Sequence, residues 1–222
     1  INDAGHIAGW LITNANGVEQ AALMANDLIQ PIIDHPLVDR SFANSLNDKG
    51  QAVGSAHVPV LDADLPFLWR DGSGAMPLEL PSGATSGDAN GINETGDIAG
   101  SAWDPGTTTW TAVTWQSDLP PQSLGSLATG GNSRASSINN IGQITGWTDT
   151  NEADPIAFVW TEGLMEPLPN FGSGDAYGNA INDGSEIAGA AFHQGNQVYH
   201  AAVWRLGVIS NLNTLLPPLT EC

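Results

Sequence analysis

Ile138-Asn139-Asn140-Ile141-Gly142-Gln143-Ile144-Thr145-Gly146 is one of five copies of a single motif. The others are Ile1-Asn2-Asp3-Ala4-Gly5-His6-Ile7-Ala8-Gly9, Leu46-Asn47-Asp48-Lys49-Gly50-Gln51-Ala52-Val53-Gly54, Ile92-Asn93-Glu94-Thr95-Gly96-Asp97-Ile98-Ala99-Gly100 and Ile181-Asn182-Asp183-Gly184-Ser185-Glu186-Ile187-Ala188-Gly189. Their first residues are 45, 46, 46 and 43 apart. Every copy has Asn in second place and Gly in ninth. Only the inner Gly slips, by one place, in the last copy (Gly184). A fixed period of this length is the mark of a repeat architecture.

A second motif keeps the same beat. It reads Gln20-Ala21-Ala22-Leu23-Met24, Leu65-Pro66-Phe67-Leu68-Trp69, Thr111-Ala112-Val113-Thr114-Trp115, Ile156-Ala157-Phe158-Val159-Trp160 and His200-Ala201-Ala202-Val203-Trp204. Leucines follow each copy: Leu28, Leu78 with Leu80, Leu124 with Leu127, Leu164 with Leu168, and Leu212 with Leu215. Small residues precede the first motif in units two to five, as in Ala43 and Ser45 or Ala135 and Ser137.

Each unit therefore reads as four short strands. Small residues form the first, and Asn-x-x-Gly makes a tight turn, because Asn bonds its own backbone and Gly accepts positive φ. The second strand carries Ile-x-Gly, the third ends in Trp, and the fourth is expected to hold the leucines. Four strands per unit predict an all-β fold, a five-bladed β-propeller of four-stranded antiparallel blades. The units are approximately 1–40, 41–86, 87–132, 133–175 and 176–222, in a single repeat domain. Small residues suit a crowded inner position where Gly allows close backbone approach. Repeated tryptophans in register suit the wider space between blades. The first unit begins at Ile-Asn, so its opening strand is expected to be missing: either Ile1 is a trimmed end, or a neighbouring chain supplies the strand. A neighbouring chain would then find an open blade edge, a template for self-association.

Composition narrows the function. The chain has 24 acidic residues, five basic ones and a net charge of −19, with Lys49 its only lysine. That balance argues against nucleic acid and anionic membrane surfaces as partners. No apolar run approaches the roughly 18 residues that cross a bilayer. Only 13% of residues are charged, so the polar surface is mostly Asn, Ser, Thr, Gln and Gly, as suits an exported protein. The chain opens at Ile1 rather than Met, which raises the expectation of a removed upstream segment. The single cysteine, Cys222, allows no disulfide within the chain. It could pair only with another chain.

The two motifs together resemble the HAF repeat family of bacterial extracellular proteins. His200-Ala201-Ala202-Val203-Trp204 and, more loosely, Ile156-Ala157-Phe158-Val159-Trp160 are similar to its His-Ala-Phe segment, and Leu124 to Gly146 to its other element. The first unit departs most, with Met24 for Trp and an irregular stretch from Ile29 to Arg40. The resemblance implies a secreted or cell-surface bacterial protein and brings no catalytic residues with it.

The long loops, joining second to third and fourth to first strands, are expected on one face. Ligands favour such loops on rigid scaffolds. Trp10 and Trp147 lie one residue past the ninth-place Gly, and Trp103 and Phe192 two further on, so on the same strand face. With Trp110 from a loop, they are candidate sugar-stacking residues; the competing reading is packing between blades. Carboxylates gather in the same loops: Asp62, Asp64, Asp104, Asp149, Glu152, Asp154 and Asp175. Asp149, Asn151 and Asp154 come nearest to a Ca²⁺ loop, since hard cations take oxygen ligands. The competing reading is solvated loop side chains. No carboxylate spacing selects a glycosidase pair, no Ser-His-Asp order stands out, and His193 and His200 span a loop without zinc spacing. The expectation is a non-enzymatic protein for recognition or extracellular assembly, binding a glycan, a cation or another protein chain. A structural subunit joined by strand exchange is the alternative, and a glycoside hydrolase-like enzyme the third reading.

Overall fold

The structure is a computed structural model that describes residues 1–12, 17–151, 154–172 and 174–215. Cys222 and Glu152 lie outside the described residues. Five antiparallel sheets follow one another in chain order, each a blade. Blade 1 has β1 (Ile7–Ile12), β2 (Glu19–Ala25) and β3 (Leu28–Pro31). Blade 2 has β4 (Arg40–Leu46), β5 (Ala52–Val58), β6 (Ala63–Arg70) and β7 (Gly74–Pro77). Blade 3 has β8 (Ser86–Ile92), β9 (Ile98–Asp104), β10 (Thr109–Trp115) and β11 (Gln122–Gly125). Blade 4 has β12 (Ser133–Ile138), β13 (Ile144–Thr148), β14 (Ile156–Thr161) and β15 (Leu164–Pro167). Blade 5 has β16 (Ala176–Ile181), β17 (Ile187–His193), β18 (Val198–Arg205) and β19 (Val208–Asn211), then a single 3₁₀ turn at Leu212–Leu215. Strand order is sequential in every sheet, and the first sheet lacks the inner strand that the other four possess. Both features agree with the sequence reading. No helix among the described residues is long and apolar enough to cross a membrane.

The repeated Asn closes each turn and also reaches the next blade. Its Oδ1 accepts the N–H four residues on: His6 at 2.9 Å, Gln51 at 2.9 Å, Asp97 at 2.8 Å, Gln143 at 2.8 Å and Glu186 at 2.9 Å. Its Nδ2 donates to the carbonyl of the equivalent Asn one blade along. The rungs run Asn2 to Asn47 (3.1 Å), Asn47 to Asn93 (3.0 Å), Asn93 to Asn139 (3.0 Å) and Asn139 to Asn182 (2.9 Å). A parallel ladder joins the next residues: the N–H groups of Asp3, Asp48, Glu94 and Asn140 donate to the side chains of Asp48, Glu94, Asn140 and Asp183. Both Asn140 donors hold the Asp183 carboxyl below its usual pKa. In blade 5, where Gly slips to Gly184, Ser185 itself takes the left-handed turn position at φ 59°.

The ninth-place Gly has a steric cause. Opposite it, each inner strand carries a bulge, between Ala43 and Ser45, Ala89 and Gly91, Ala135 and Ser137, and Gly178 and Ala180. A Cβ on Gly54, Gly100, Gly146 or Gly189 would overlap the carbonyl oxygen of Phe42, Asp88, Arg134 or Tyr177. The bulged residue is put to use in two blades, where Asn44 and Asn90 donate to Ala89 O and Ala135 O of the next inner strand. Blade 1 has no inner strand, and a Cβ on Gly9 would meet nothing.

Large side chains fill the space between blades. Trp69, Trp115, Trp160 and Trp204 are buried, each in a cluster with the preceding blade. Trp115 Nε1 donates to Glu79 O and Trp204 Nε1 to Pro169 O, both in the segment after the preceding blade's outer strand. Leu28, Leu124 and Leu164 lie in outer strands as expected, but three other leucines correct the sequence reading. Leu78, Leu80 and Leu168 lie just past the outer strand rather than within it, and plug the gap to the next blade. An outer strand is only four residues long, because its connection must turn inward to cover the neighbouring tryptophan. In blade 1, Ile32 takes this place: its N–H donates to Ala21 O (2.9 Å) as those of Leu78 and Leu168 do to Pro66 O and Ala157 O.

Two outcomes check this account. Gly146→Ala forces the bulge apart and is expected to cost about 3 kcal/mol, whereas Gly9→Ala is expected to be neutral or slightly stabilising; urea unfolding measures both. Asn93→Ala strips a buried ladder position and its turn, with an expected cost of about 3 kcal/mol, against about 1 kcal/mol for Asn182→Ala, whose amide reaches no further asparagine carbonyl among the described residues. Equal costs at the two asparagines would refute the inter-blade role of the amide.

Candidate functional site

Apart from the inter-blade tryptophan column and the buried Phe67 and Phe158, the aromatic side chains gather at the end of the wheel opposite the Asn turns. Second strands finish there and third strands begin. The expected stacking residues lie here, divided among three mouths between blades. Trp10, 53% exposed, meets Phe42 edge-on at the mouth of blades 1 and 2. Trp103 and Trp110 are cross-strand partners with ring centroids 5.7 Å apart. The Arg134 guanidinium covers Trp110 at 4.0 Å from its centroid and pairs with Asp88. That ring face is therefore occupied by the protein's own cation, an arrangement that favours packing over ligand stacking.

The third mouth, between blades 4 and 5, holds Trp147 and Phe192 and adds two rings that sequence reading passed over. Trp147 meets Tyr177 (6.2 Å), Tyr177 meets Tyr199 (6.0 Å), and Tyr199 meets Phe192 (5.6 Å), a continuous run of four rings. Tyr199 is the cross-strand partner of Phe192, a relation that exists only once register is set. Asp175 receives both phenols on one oxygen, Tyr199 Oη at 2.6 Å and Tyr177 Oη at 3.2 Å. The hydrogen bond to Asp175 raises the Tyr199 pKa above its ordinary value, with further contributions from burial and from Tyr177. Burial comes first in raising that of Tyr177, followed by the Asp175 charge.

Beside these rings opens a recess of about 430 Å³ bounded by Asp154, Gly174, Asp175, Phe192, Gln194, Gln197 and Tyr199. A second recess of about 660 Å³ shares Asp154 and Gly174 and extends past Asn151, Thr150 and Asn170. Gly174 is required at the shared wall, since a Cβ there would strike the Phe192 ring. Carboxylates, carboxamides and the Phe192 and Tyr199 rings thus line the smaller recess together.

Of the calcium candidates, one already has partners within the protein and two face the recess. Asp149 Oδ2 accepts Asn132 N and Nδ2, both at 2.8 Å, and so anchors the neighbouring loop. Asn151 and Asp154 line the recess. No group of three or more His, Cys, Asp or Glu side chains suited to a metal ion exists among the described residues. His193 and His200 stack face to face, 4.6 Å apart and 6° from parallel, with Phe171 edge-on to both. His200 is buried, with Asn196 Nδ2 2.9 Å from Nε2 and Asn211 Nδ2 2.7 Å from Nδ1. Parallel rings cannot aim their nitrogens at one ion, so this pair is packing.

No family model matches the chain, and no characterised protein matches it by sequence. Solved structures do match by fold. TolB from Acinetobacter baumannii superposes with a TM-score of 0.66 at 15% identity, over 94% of this chain and 52% of TolB. The β-propeller domain of the Trilobed protease from Pyrococcus furiosus, described as having an open velcro topology, superposes with a TM-score of 0.57 at 12% identity, over 95% of this chain and 68% of that one. By fold, the chain is a β-propeller. It spans about half the length of TolB.

The phenol pair gives a pH signature for this propeller. Both tyrosines have folded pKa values above the ordinary value near 10. Their neutral forms therefore contribute stability that is complete below about pH 10 and lost as pH rises through the folded values. Ultraviolet-monitored titration should show two late-ionising phenols, and Asp175→Asn should bring Tyr199 back toward the ordinary range.

Proposed function

We propose that this chain is a non-enzymatic recognition module of HAF-repeat type, exported by a bacterium, whose ligand is a neutral saccharide held at the mouth between blades 4 and 5. One observation carries the reading. The Trp147–Tyr177–Tyr199–Phe192 run borders a recess edged by Asp154, Asp175, Gln194 and Gln197, and Tyr199 is 49% exposed. A sugar ring offers C–H faces that pack on aromatic planes and hydroxyls that suit planar acceptors and donors. Such a concave surface with a few converging polar groups is where ligands bind. The net charge of −19 disfavours anionic polymers and leaves neutral glycans. Asp175 is already engaged by two phenols and serves as their anchor, which supports binding without chemistry.

A glycan array followed by titration tests this. Tyr199→Ala and Phe192→Ala should each weaken binding about tenfold, near 1.4 kcal/mol. Trp10→Ala, at a different mouth, should leave affinity unchanged. If no glycan is retained, or if Trp10→Ala is as damaging as Tyr199→Ala, the assignment of this mouth fails.

A further inference from the structure

The smaller recess at the mouth of blades 4 and 5 does not stop behind its rings. It continues into the larger one, of about 660 Å³, through Asp154 and Gly174, which line both. At about 430 Å³ the smaller recess already lies within the roughly 300–1,000 Å³ of pockets that take a whole small ligand. The larger one falls within the same range by itself. Joined, they offer more room than one sugar ring fills.

The larger recess has apolar and polar parts of its own. Leu127, Ile156 and Leu168 supply aliphatic surface, and the exposed Pro167 and Pro169 add flat pyrrolidine rings. Thr150, Asn151 and Asn170 bring hydroxyl and carboxamide groups to the same lining. Among the described residues, no lysine or arginine lines either recess. This mixture suits the C–H faces and hydroxyls of an uncharged sugar and offers no cation to an anionic one. The lining is also fixed from behind. Leu168 N–H donates to Ala157 O at 2.8 Å, and Pro169 O accepts the Trp204 indole. Asn170 Oδ1 accepts Gly172 N–H at 2.9 Å, and its Nδ2 donates to Gly174 O at 3.0 Å. On the loop between β13 and β14, Thr150 Oγ1 donates to Asp154 O at 3.2 Å. A surface held this way gives up little conformational freedom when a ligand arrives.

Asp154 marks the junction. Asp149 and Asp175 are engaged, the first by Asn132 and the second by two phenols. The exposed Asp154 carboxylate has no hydrogen-bond partner among the described residues, and it stands where the two recesses meet.

We infer that this mouth binds at least two consecutive units of a linear neutral oligosaccharide, one against Tyr199 and Phe192 and the next in the larger recess, with Asp154 accepting hydroxyls beside the linkage between them. The inference rests on the saccharide reading of the mouth and adds to it a chain length and a second subsite. An ionised carboxylate has two acceptor oxygens, enough to serve both units. Once the first unit is seated, its covalent neighbour meets the larger recess at high effective concentration, so affinity grows with chain length until both recesses are filled.

Isothermal titration with cello-, malto- and N-acetylchito-oligosaccharides, each from the monosaccharide to the hexasaccharide, tests this. In a series that binds, affinity should rise about tenfold between the monosaccharide and the short oligomers and then level off. Asn151→Ala and Asp154→Ala, both at exposed positions, should keep the wild-type thermal midpoint. They should weaken the longer chains about tenfold and leave monosaccharide affinity unchanged. Tyr199→Ala should weaken every length. Equal affinity of the wild type for monosaccharide and hexasaccharide overturns the inference, as does an Asp154→Ala loss that is the same at every length. In both cases sensitivity to Tyr199→Ala would keep the ring-lined recess as a saccharide site for a single unit. If no series binds, the saccharide reading falls and the second subsite falls with it.

Discussion

The amide of one repeated asparagine ties this molecule together. Within its own blade it substitutes for a turn's missing backbone partners and donates to the side chain four residues on, and across the gap it donates to the asparagine carbonyl of the neighbouring turn. Asn47, Asn93 and Asn139 are buried, so an amide without that neighbour would lie desolvated and unmatched. The geometry of one turn consequently depends on the position of the next. A polar ladder at one end of the wheel thus sets the spacing that the apolar clusters behind it fill. Hydrophobic burial supplies the larger share of stability, but it has no direction. The ladder supplies direction and sets which way the array grows.

A second constraint follows at the inner strands. The bulge there brings a carbonyl oxygen against the second strand so closely that only glycine fits. The extra residue that the bulge creates is turned sideways, and as Asn44 or Asn90 it makes a further bond to the next blade. Blade 1 confirms the causal order. Without an inner strand its glycine has open space, its aliphatic residue Ile7 is uncovered, and its tryptophan position holds methionine.

Function separates from this framework at the opposite end. Loops there are free of the ladder, and the residue before the inner-strand bulge varies from blade to blade: Phe42, Asp88, Arg134 and Tyr177. One position has become a hydrophobic edge, an ion pair that caps an indole, and a phenol bound to Asp175. The same scaffold thus makes chemically different mouths, and the one between blades 4 and 5 combines linked rings with a recess.

The sequence by itself determined the number of units, the order of strands, the missing inner strand, the turn role of the repeated asparagine and the burial of the tryptophan, but not the asparagine's bond to the next blade. Period and local turn chemistry are properties of consecutive residues, and repetition multiplied a weak local signal fivefold. Tertiary structure alone decided which aromatics meet. Trp147, Tyr177, Tyr199 and Phe192 are scattered over two units, and their contact arises from strand register combined with the approach of one blade to another. It also decided that Arg134 reaches across to cover Trp110, that Asp149 holds the Asn132 loop, and that Leu78, Leu80 and Leu168 lie just beyond the outer strands as inter-blade plugs. Those outcomes depend on distances between units, which no periodicity along the chain encodes.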